Sequence, residues 1–367
     1  MIFYIVFLLF ITSLLLIQYF YQWKTKIFEY FAIIILVLVS GFREKIGVDY
    51  NSYVSWYFQK TRDSDFEFGF VAIMDLFRWL GLSPSYLFFF FSFFTCYFVV
   101  LGIKNYTANS NIALLFYVLI PSLYLTSFSL VRQSFAVAVS FYAFYYLVNK
   151  RYLFYLLLMF LGVSIHRSCL ISFVVFLFVF KFYDKLKTSH LLGLIIGSFF
   201  LSRFDFIQIF RVFFENNRYL YYFSNTGRQV ELIKLIIINL EGIFFLFYFQ
   251  CIKKKELYDK HLLILYCFSI AFVNLCFKNS DLTRIGSYFR IFEIIVLTKL
   301  IFLETERKRI ILFLFFYVLY FNAFLIGLKK DSERPNINMP KFIPYKNILW
   351  SFSNEDHNDE KCKYYMV

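Results

Sequence analysis

Residues 84–103 read PSYLFFFFSFFTCYFVVLGI, twenty positions with no charged side chain, entered at Ser83 and left at Lys104. The run is apolar on every face. A helix on a soluble domain confines its apolar residues to one stripe, so this one needs an apolar surrounding on all sides. A bilayer supplies it: roughly 20 such residues cross the hydrocarbon core, with each backbone N–H and C=O bonded inside the segment.

Working outward, comparable runs recur along the 367 residues, and spans are expected at about 2–20, 27–42, 84–103, 111–129, 132–148, 152–165, 168–182, 190–203, 231–250, 262–277, 285–303 and 309–327. The composition agrees: 60% of residues are hydrophobic and only 17% charged, where soluble domains carry about a quarter charged residues. Mean hydropathy is +0.64. The fold class is therefore all-α, a polytopic membrane helix bundle of about twelve transmembrane helices. A further run, Phe68 to Leu82, is short and carries Asp75 and Arg78. It suits an interfacial or re-entrant helix better than a span. The first segment lacks a basic leader and a small-residue cleavage site, so it is expected to stay as a helix.

The 56 Phe and 30 Tyr read as lipid-facing and interfacial surface, not as an aromatic cofactor box. Six Cys, with no CxxC pair among them, form neither a disulfide framework nor a zinc site. The net charge of +14 is explained by the positive-inside rule and by anionic lipid or phosphate, so no nucleic-acid partner is needed. Clustered positive charge falls at Lys24/Lys26, Lys104, Lys150/Arg151, Lys181/Lys185/Lys187, Lys253 to Lys255 with Lys260, and Arg307 to Arg309. If 68–82 does not cross, alternation puts all of these loops in the cytoplasm and both termini outside. Residues 1–330 then form one membrane domain with outer loops 43–83 and 204–230, and 331–367 a polar extracytoplasmic tail.

That orientation gathers the polar side chains on the outer face. The first group is Gly41-Phe42-Arg43-Glu44-Lys45-Ile46-Gly47-Val48-Asp49-Tyr50, then Tyr53 and Glu67-Phe68-Gly69. Arg43 stands where a helix leaves the membrane and can offer a planar fork of donors to a phosphate oxygen. The plainer reading is a snorkelling interface residue. Arg132-Gln133 opens a helix containing Ala136, Ala138, Ser140 and Ala143, small residues that permit close packing. An Arg at a helix N-terminus opposes the macrodipole, so an anionic partner is expected beside it. His166-Arg167-Ser168 occupies a tight turn; a lone His is more often structural, but imidazole suits acid–base work near neutral pH. Arg284 and Tyr288 share a helix face, Arg290 and Glu293 can pair within theirs, and Arg211 and Arg218 are interleaved with tyrosines at 219, 221 and 222. Glu241, Asn239, Asn274 and Asn322 are polar groups at membrane depth, either functional or helix–helix glue.

Taken in order, Arg43…Gly47-Val48-Asp49-Tyr50…Tyr53, Glu67-Phe68-Gly69, Arg132-Gln133, His166-x-Ser168, Arg284…Tyr288-Phe289 and Pro344-Tyr345 resemble the EpsG family. These are multi-spanning proteins of bacterial exopolysaccharide and capsule clusters, related in role to the Wzy O-antigen polymerases. The resemblance extends from about residue 41 to 350. Val48 stands where the family often has Thr, and Phe68 where some members have Pro; neither change removes a charge.

The resemblance implies a membrane glycosyltransferase in the bacterial cytoplasmic membrane, and metal independence without a cofactor is expected of it. It would polymerise polyprenyl-diphosphate-linked oligosaccharide repeat units at the outer face. Arg43, Arg132 and Arg284 are the expected diphosphate clamps, and Asp49, Glu67 and His166 the candidates for orienting or deprotonating the acceptor hydroxyl. Gln133, Tyr288, Arg211 and Arg218 would contact substrate. Membrane lipid, a chain-length regulator and a flippase of the same pathway are the partners it implies. A lipid-linked oligosaccharide flippase would instead favour midplane charges and internal repeats; another membrane glycosyltransferase or an acyltransferase is the remaining alternative.

Overall fold

The computed structural model describes residues 1–21, 26–59, 66–204, 231–250, 259–279, 282–332 and 341–348. Among these no strand occurs; an isolated bridge joins Arg43 and Asn347. The helices are α1 (Ile2–Tyr21), α2 (Ile27–Gly41), α3 (Tyr50–Phe58), α4 (Phe68–Trp79), α5 (Pro84–Tyr106), α6 (Ser110–Leu119), α7 (Val131–Val148), α8 (Tyr152–Ile165), α9 (Cys169–Phe182) and α10 (Thr188–Leu201). They continue with α11 (Leu232–Gln250), α12 (Asp259–Leu275), α13 (Ser287–Arg290), α14 (Glu293–Phe302) and α15 (Glu306–Ser332).

Four helices, α1, α5, α11 and α15, are long and apolar enough to cross a membrane. Several other apolar helices are shorter. The structure thus supports a helical membrane bundle but not a count of twelve full-length spans. Two expected spans are altered for visible reasons. The run 111–129 yields only α6, because Pro121 forces Ile120 into an extended conformation (ψ 108°) and cannot itself donate a helical bond. A 3-10 turn, Leu125–Phe128, then leads to α7. The run 285–303 is divided into a 3-10 turn (Leu282–Gly286), α13 and α14. Phe292 and Ile295 there bond three residues back, tightening the path between the two helices. The segment 68–82 forms the twelve-residue α4, about 18 Å long at 1.5 Å per residue and so short of a bilayer.

α5 packs along α7, and α7 against α8. At the end of the bundle where α2 finishes and α7 begins, α3 and α4 fold over these helices. They form a separate aromatic core of Tyr50, Tyr53, Tyr57, Phe70, Phe77, Phe88 and Phe91 with Val131, Phe135 and Ile165. Arg78 pins the pair together, donating from Nε to Tyr57 O (2.8 Å) and from Nη2 to Trp56 O (2.9 Å). At the opposite end, Lys104 pairs with the buried Glu29 (3.2 Å), which also accepts from Ser110 Oγ (3.0 Å). Asn239 and Asn274 exchange amide hydrogen bonds of 2.7 and 2.8 Å, and Asn274 reaches Ser198 at 2.8 Å. That ties α10, α11 and α12 as polar glue.

Beyond α15, residues 341–348 return to the end of α2. Tyr345 stacks on Phe3 with centroids 3.9 Å apart and donates its hydroxyl to Val39 O (3.0 Å). Tyr4 donates to Phe342 O (2.9 Å), and Asp331 accepts from the Phe342 N–H (2.7 Å). This part of the tail is therefore packed into the fold.

Candidate functional site

Arg43 follows α2 directly and is 1% exposed. Its Nη2 donates to Phe128 O (2.9 Å), its Nε to Ile46 O (3.2 Å), and its Nη1 to Ser40 O. Phe88 and Phe128 cover the guanidinium at 4.9 and 5.4 Å. Burial pushes its pKa down, to about 10. Gly47 allows this arrangement: its φ is +104°, and a Cβ there would overlap the Phe128 carbonyl oxygen, a conformation and an approach open only to glycine. Arg43 thus braces the loop after α2 against the turn before α7.

Gly69 sets the second half of the site. A Cβ at this position would lie 2.5 Å from Ser164 Oγ and 2.8 Å from Ser164 O, so the start of α4 can press against the end of α8 only without a side chain. That contact delivers Glu67, the residue before α4, to the turn at His166. Glu67 Oε1 accepts from the Arg167 N–H (2.9 Å) and lies 3.6 Å from His166 Nδ1. Its Oε2 accepts from Arg132 Nη1 (2.7 Å). Arg132 sits one residue into α7, where its charge opposes the helix dipole, and Glu67 supplies the anion that offsets it. Phe66, Phe70 and Tyr53 surround the guanidinium at 4.8, 5.0 and 5.9 Å, within cation–π range.

Burial alone would raise the Glu67 pKa. The nearby His166 imidazole and the bond from the Arg167 N–H, with the Arg132 charge, overcome that and hold it at about 2. Glu67 is thus a fixed anion at neutral pH and a weak base. Two buried nitrogens facing it, Arg132 Nε and His166 Nδ1, have no hydrogen-bond partner among the described residues. Buried donors left unmade are expensive.

Four other expected residues, Asp49, Gln133, Arg284 and Tyr288, connect to this centre. Asp49 precedes α3, and its charge is felt at Tyr53 and Arg132. Gln133 Nε2 donates to Arg284 O (2.7 Å), drawing the turn Leu282–Gly286 onto α7. Ser168 Oγ and Tyr288 Oη bond at 2.9 Å, tying the His166 turn to α13. Of Arg284, therefore, the backbone is placed against Gln133. Arg211 and Arg218 lie outside the described residues. A groove of about 570 Å³ opens beside Glu67, with Asp75 and Arg167 on its polar edge and Phe68, Val71 and Val163 as its wall.

The residues so assembled, from Arg43 to the docked Tyr345, fall inside one match: the model of the EpsG family covers residues 26–347. The chain belongs to the EpsG family. Neither the curated proteins nor the solved structures give a match. As an EpsG member with apolar helices of membrane-spanning length, it is a membrane protein of polysaccharide biosynthesis in a Wzy-like family. Sequence reasoning gave no role to three features of this EpsG site: the Arg167 backbone N–H, the close approach at Gly69, and the Phe66–Phe70 cage. The first two stood within quoted motifs; the cage could not be singled out among so many phenylalanines.

Proposed function

We propose that this protein is a repeat-unit polymerase, joining oligosaccharides carried on polyprenyl diphosphate at the outer face of the bacterial cytoplasmic membrane. The observation that carries the reading is the Glu67 hub, where one carboxylate meets Arg132, His166 and the Arg167 N–H. In the reaction the acceptor hydroxyl attacks the anomeric carbon of the donor chain. The bond from that carbon to the diphosphate oxygen breaks, and its electron pair leaves with the diphosphate. The barrier lies in the charge growing on the leaving group and in aligning two large substrates.

His166 takes the hydroxyl proton, held in orientation by Glu67 as a carboxylate holds a catalytic imidazole. Its ring is one-quarter exposed, so a substrate hydroxyl can reach it. Glu67, held at about 2, orients and does not itself deprotonate. Arg132, with Nε unpartnered, meets the departing diphosphate, and Arg284 and Arg167 flank it. Gln133 and Tyr288 keep α13 against the site. Arg211, Arg218 and Asp49 complete the sugar and phosphate surface, and a chain-length regulator and a flippase act alongside.

The test is made in the native host. Delete the gene, complement with wild type or Arg132→Ala, and size-fractionate the surface glycan. Polymer lost while single repeat units persist outside the membrane, with no rescue by Arg132→Ala, supports the polymerase. Units accumulating inside would make the protein a flippase, and unchanged glycan would remove it from surface polysaccharide altogether.

A further inference from the structure

A second polar cluster joins α11, α13, α14 and α15. Tyr320, on α15, places its hydroxyl 2.7 Å from Glu293 Oε1 and in contact with Glu241 Oε1 on α11. Arg290, the last residue of α13, closes on Glu293: Nε is 2.9 Å from Oε2 and Nη2 is 3.5 Å from Oε1. The Glu293 side chain is completely buried. From α12, the Tyr266 hydroxyl faces the same carboxyls. Lys234 precedes Glu241 by two turns of α11, roughly 10 Å along the axis. The charges of Arg290, Lys341 and Lys330 are felt at Lys234.

The hydrogens can be counted. A tyrosine hydroxyl has one, and here two carboxyl oxygens lie within bonding distance of it. If both carboxyls were ionised, one of them would face the phenol oxygen with no hydrogen between. Two negative charges would also share a single guanidinium at membrane depth, where an unpaired charge is costly. One added proton removes both difficulties.

We propose that the Glu241–Tyr320–Glu293–Arg290 cluster is a proton-binding site inside the membrane bundle. Glu241 carries the proton and donates it to Tyr320 Oη. The Tyr320 O–H donates in turn to Glu293, which stays ionised against Arg290. Unfolding exposes Glu241 to water, where it ionises and releases the proton. Folded stability therefore falls as pH rises from the ordinary carboxylate range until the folded site is emptied.

The experiment uses the full-length protein in lipid nanodiscs, and it reads neither glycan nor substrate, so it is independent of the polymerase reading. Thermal unfolding of wild type, Glu241→Gln and Glu293→Gln is followed from mildly acid to alkaline pH, with infrared spectra of the folded samples. Glutamine keeps the shape and a donor of the protonated acid. Glu241→Gln is thus expected to match the wild-type midpoint in the ordinary carboxylate range, to unfold at higher temperature than wild type toward neutrality, and to lack one protonated-carboxyl band present in wild type. Its unfolding constant should also lose one proton's dependence, about tenfold per pH unit. Glu293→Gln, which leaves Arg290 without its counter-ion, is expected to unfold at lower temperature. The proposal is overturned if Glu241→Gln folds as poorly as Glu293→Gln, or if it retains both the band and the wild-type pH slope.

Discussion

Glu67 Oε2 and Arg132 Nη1 lie 2.7 Å apart although 65 positions separate them in the chain. The side chains are only 10% and 16% exposed. Each corrects a fault in the other's setting, the carboxylate being partly desolvated and the guanidinium standing against a helix dipole. Removing either leaves a charge uncompensated, which is worse than never having had the pair.

Arg132→Lys is expected to behave as a null. An ammonium can meet Glu67 or lie over Phe66 and Phe70, but it lacks the planar fork that does both while keeping a donor for phosphate. Polymer formed per unit of membrane protein should fall by roughly 100-fold or more, as for loss of one preorganised donor. Wild-type polymer from Arg132→Lys at matched expression would show that charge alone suffices.

The low pKa of Glu67 fixes the sign of an acid effect. The folded value of about 2 lies below the ordinary 4.5, so the contribution is complete above about pH 4.5 and is lost as pH falls toward 2. Its size is at most about 3 kcal/mol. Thermal unfolding of wild type and Glu67→Gln across that window should converge at the acid end. A gap that stays constant with pH would assign the effect to another group.

Gly69→Ala tests the approach of α4 to α8. The added methyl meets Ser164 on both side chain and carbonyl, so α4 must shift, at roughly 1–3 kcal/mol for overpacking. Polymer yield is expected to fall more than protein level does, because Glu67 moves with the helix. Adding Ser164→Gly removes the side-chain part of the clash and should recover part of the yield; no recovery would mean that the loss arises elsewhere.

Arg43→Ala should fail differently from Arg132→Ala. It unmakes bonds to the carbonyls of Ser40, Ile46 and Phe128, each leaving a buried acceptor at about 1–3 kcal/mol. Membrane-inserted protein is therefore expected to drop sharply in quantity. Full abundance with no polymer would instead return Arg43 to the diphosphate.

The helical membrane bundle was legible because an all-round apolar run leaves few alternatives, and 84–103 became α5 almost unchanged. Arg132, Glu67 and His166 were legible for a related reason: charged or basic groups at the ends of apolar runs stand out. Where Arg43 points was not, since its partner carbonyl at Phe128 belongs to a turn created by Pro121, far along the chain. Nor was Tyr320, one tyrosine among thirty, whose importance depends on Glu241 and Glu293 arriving from two other helices.

The docking of residues 341–348 bears on the order in which the protein can be made. Ile348 N–H bonds to Phe42 O and Glu44 N–H to Lys346 O, both at 3.0 Å, and Tyr345 reaches Val39 across 306 positions. The loop that Arg43 braces is therefore finished by nearly the last described part of the chain. During synthesis this corner stays open while the intervening helices are made, and it closes only after α15 and its trailing segment have emerged. Ribosome-bound chains halted after Ser332 should leave Val39 and Phe42 accessible to small labelling reagents that the released protein excludes.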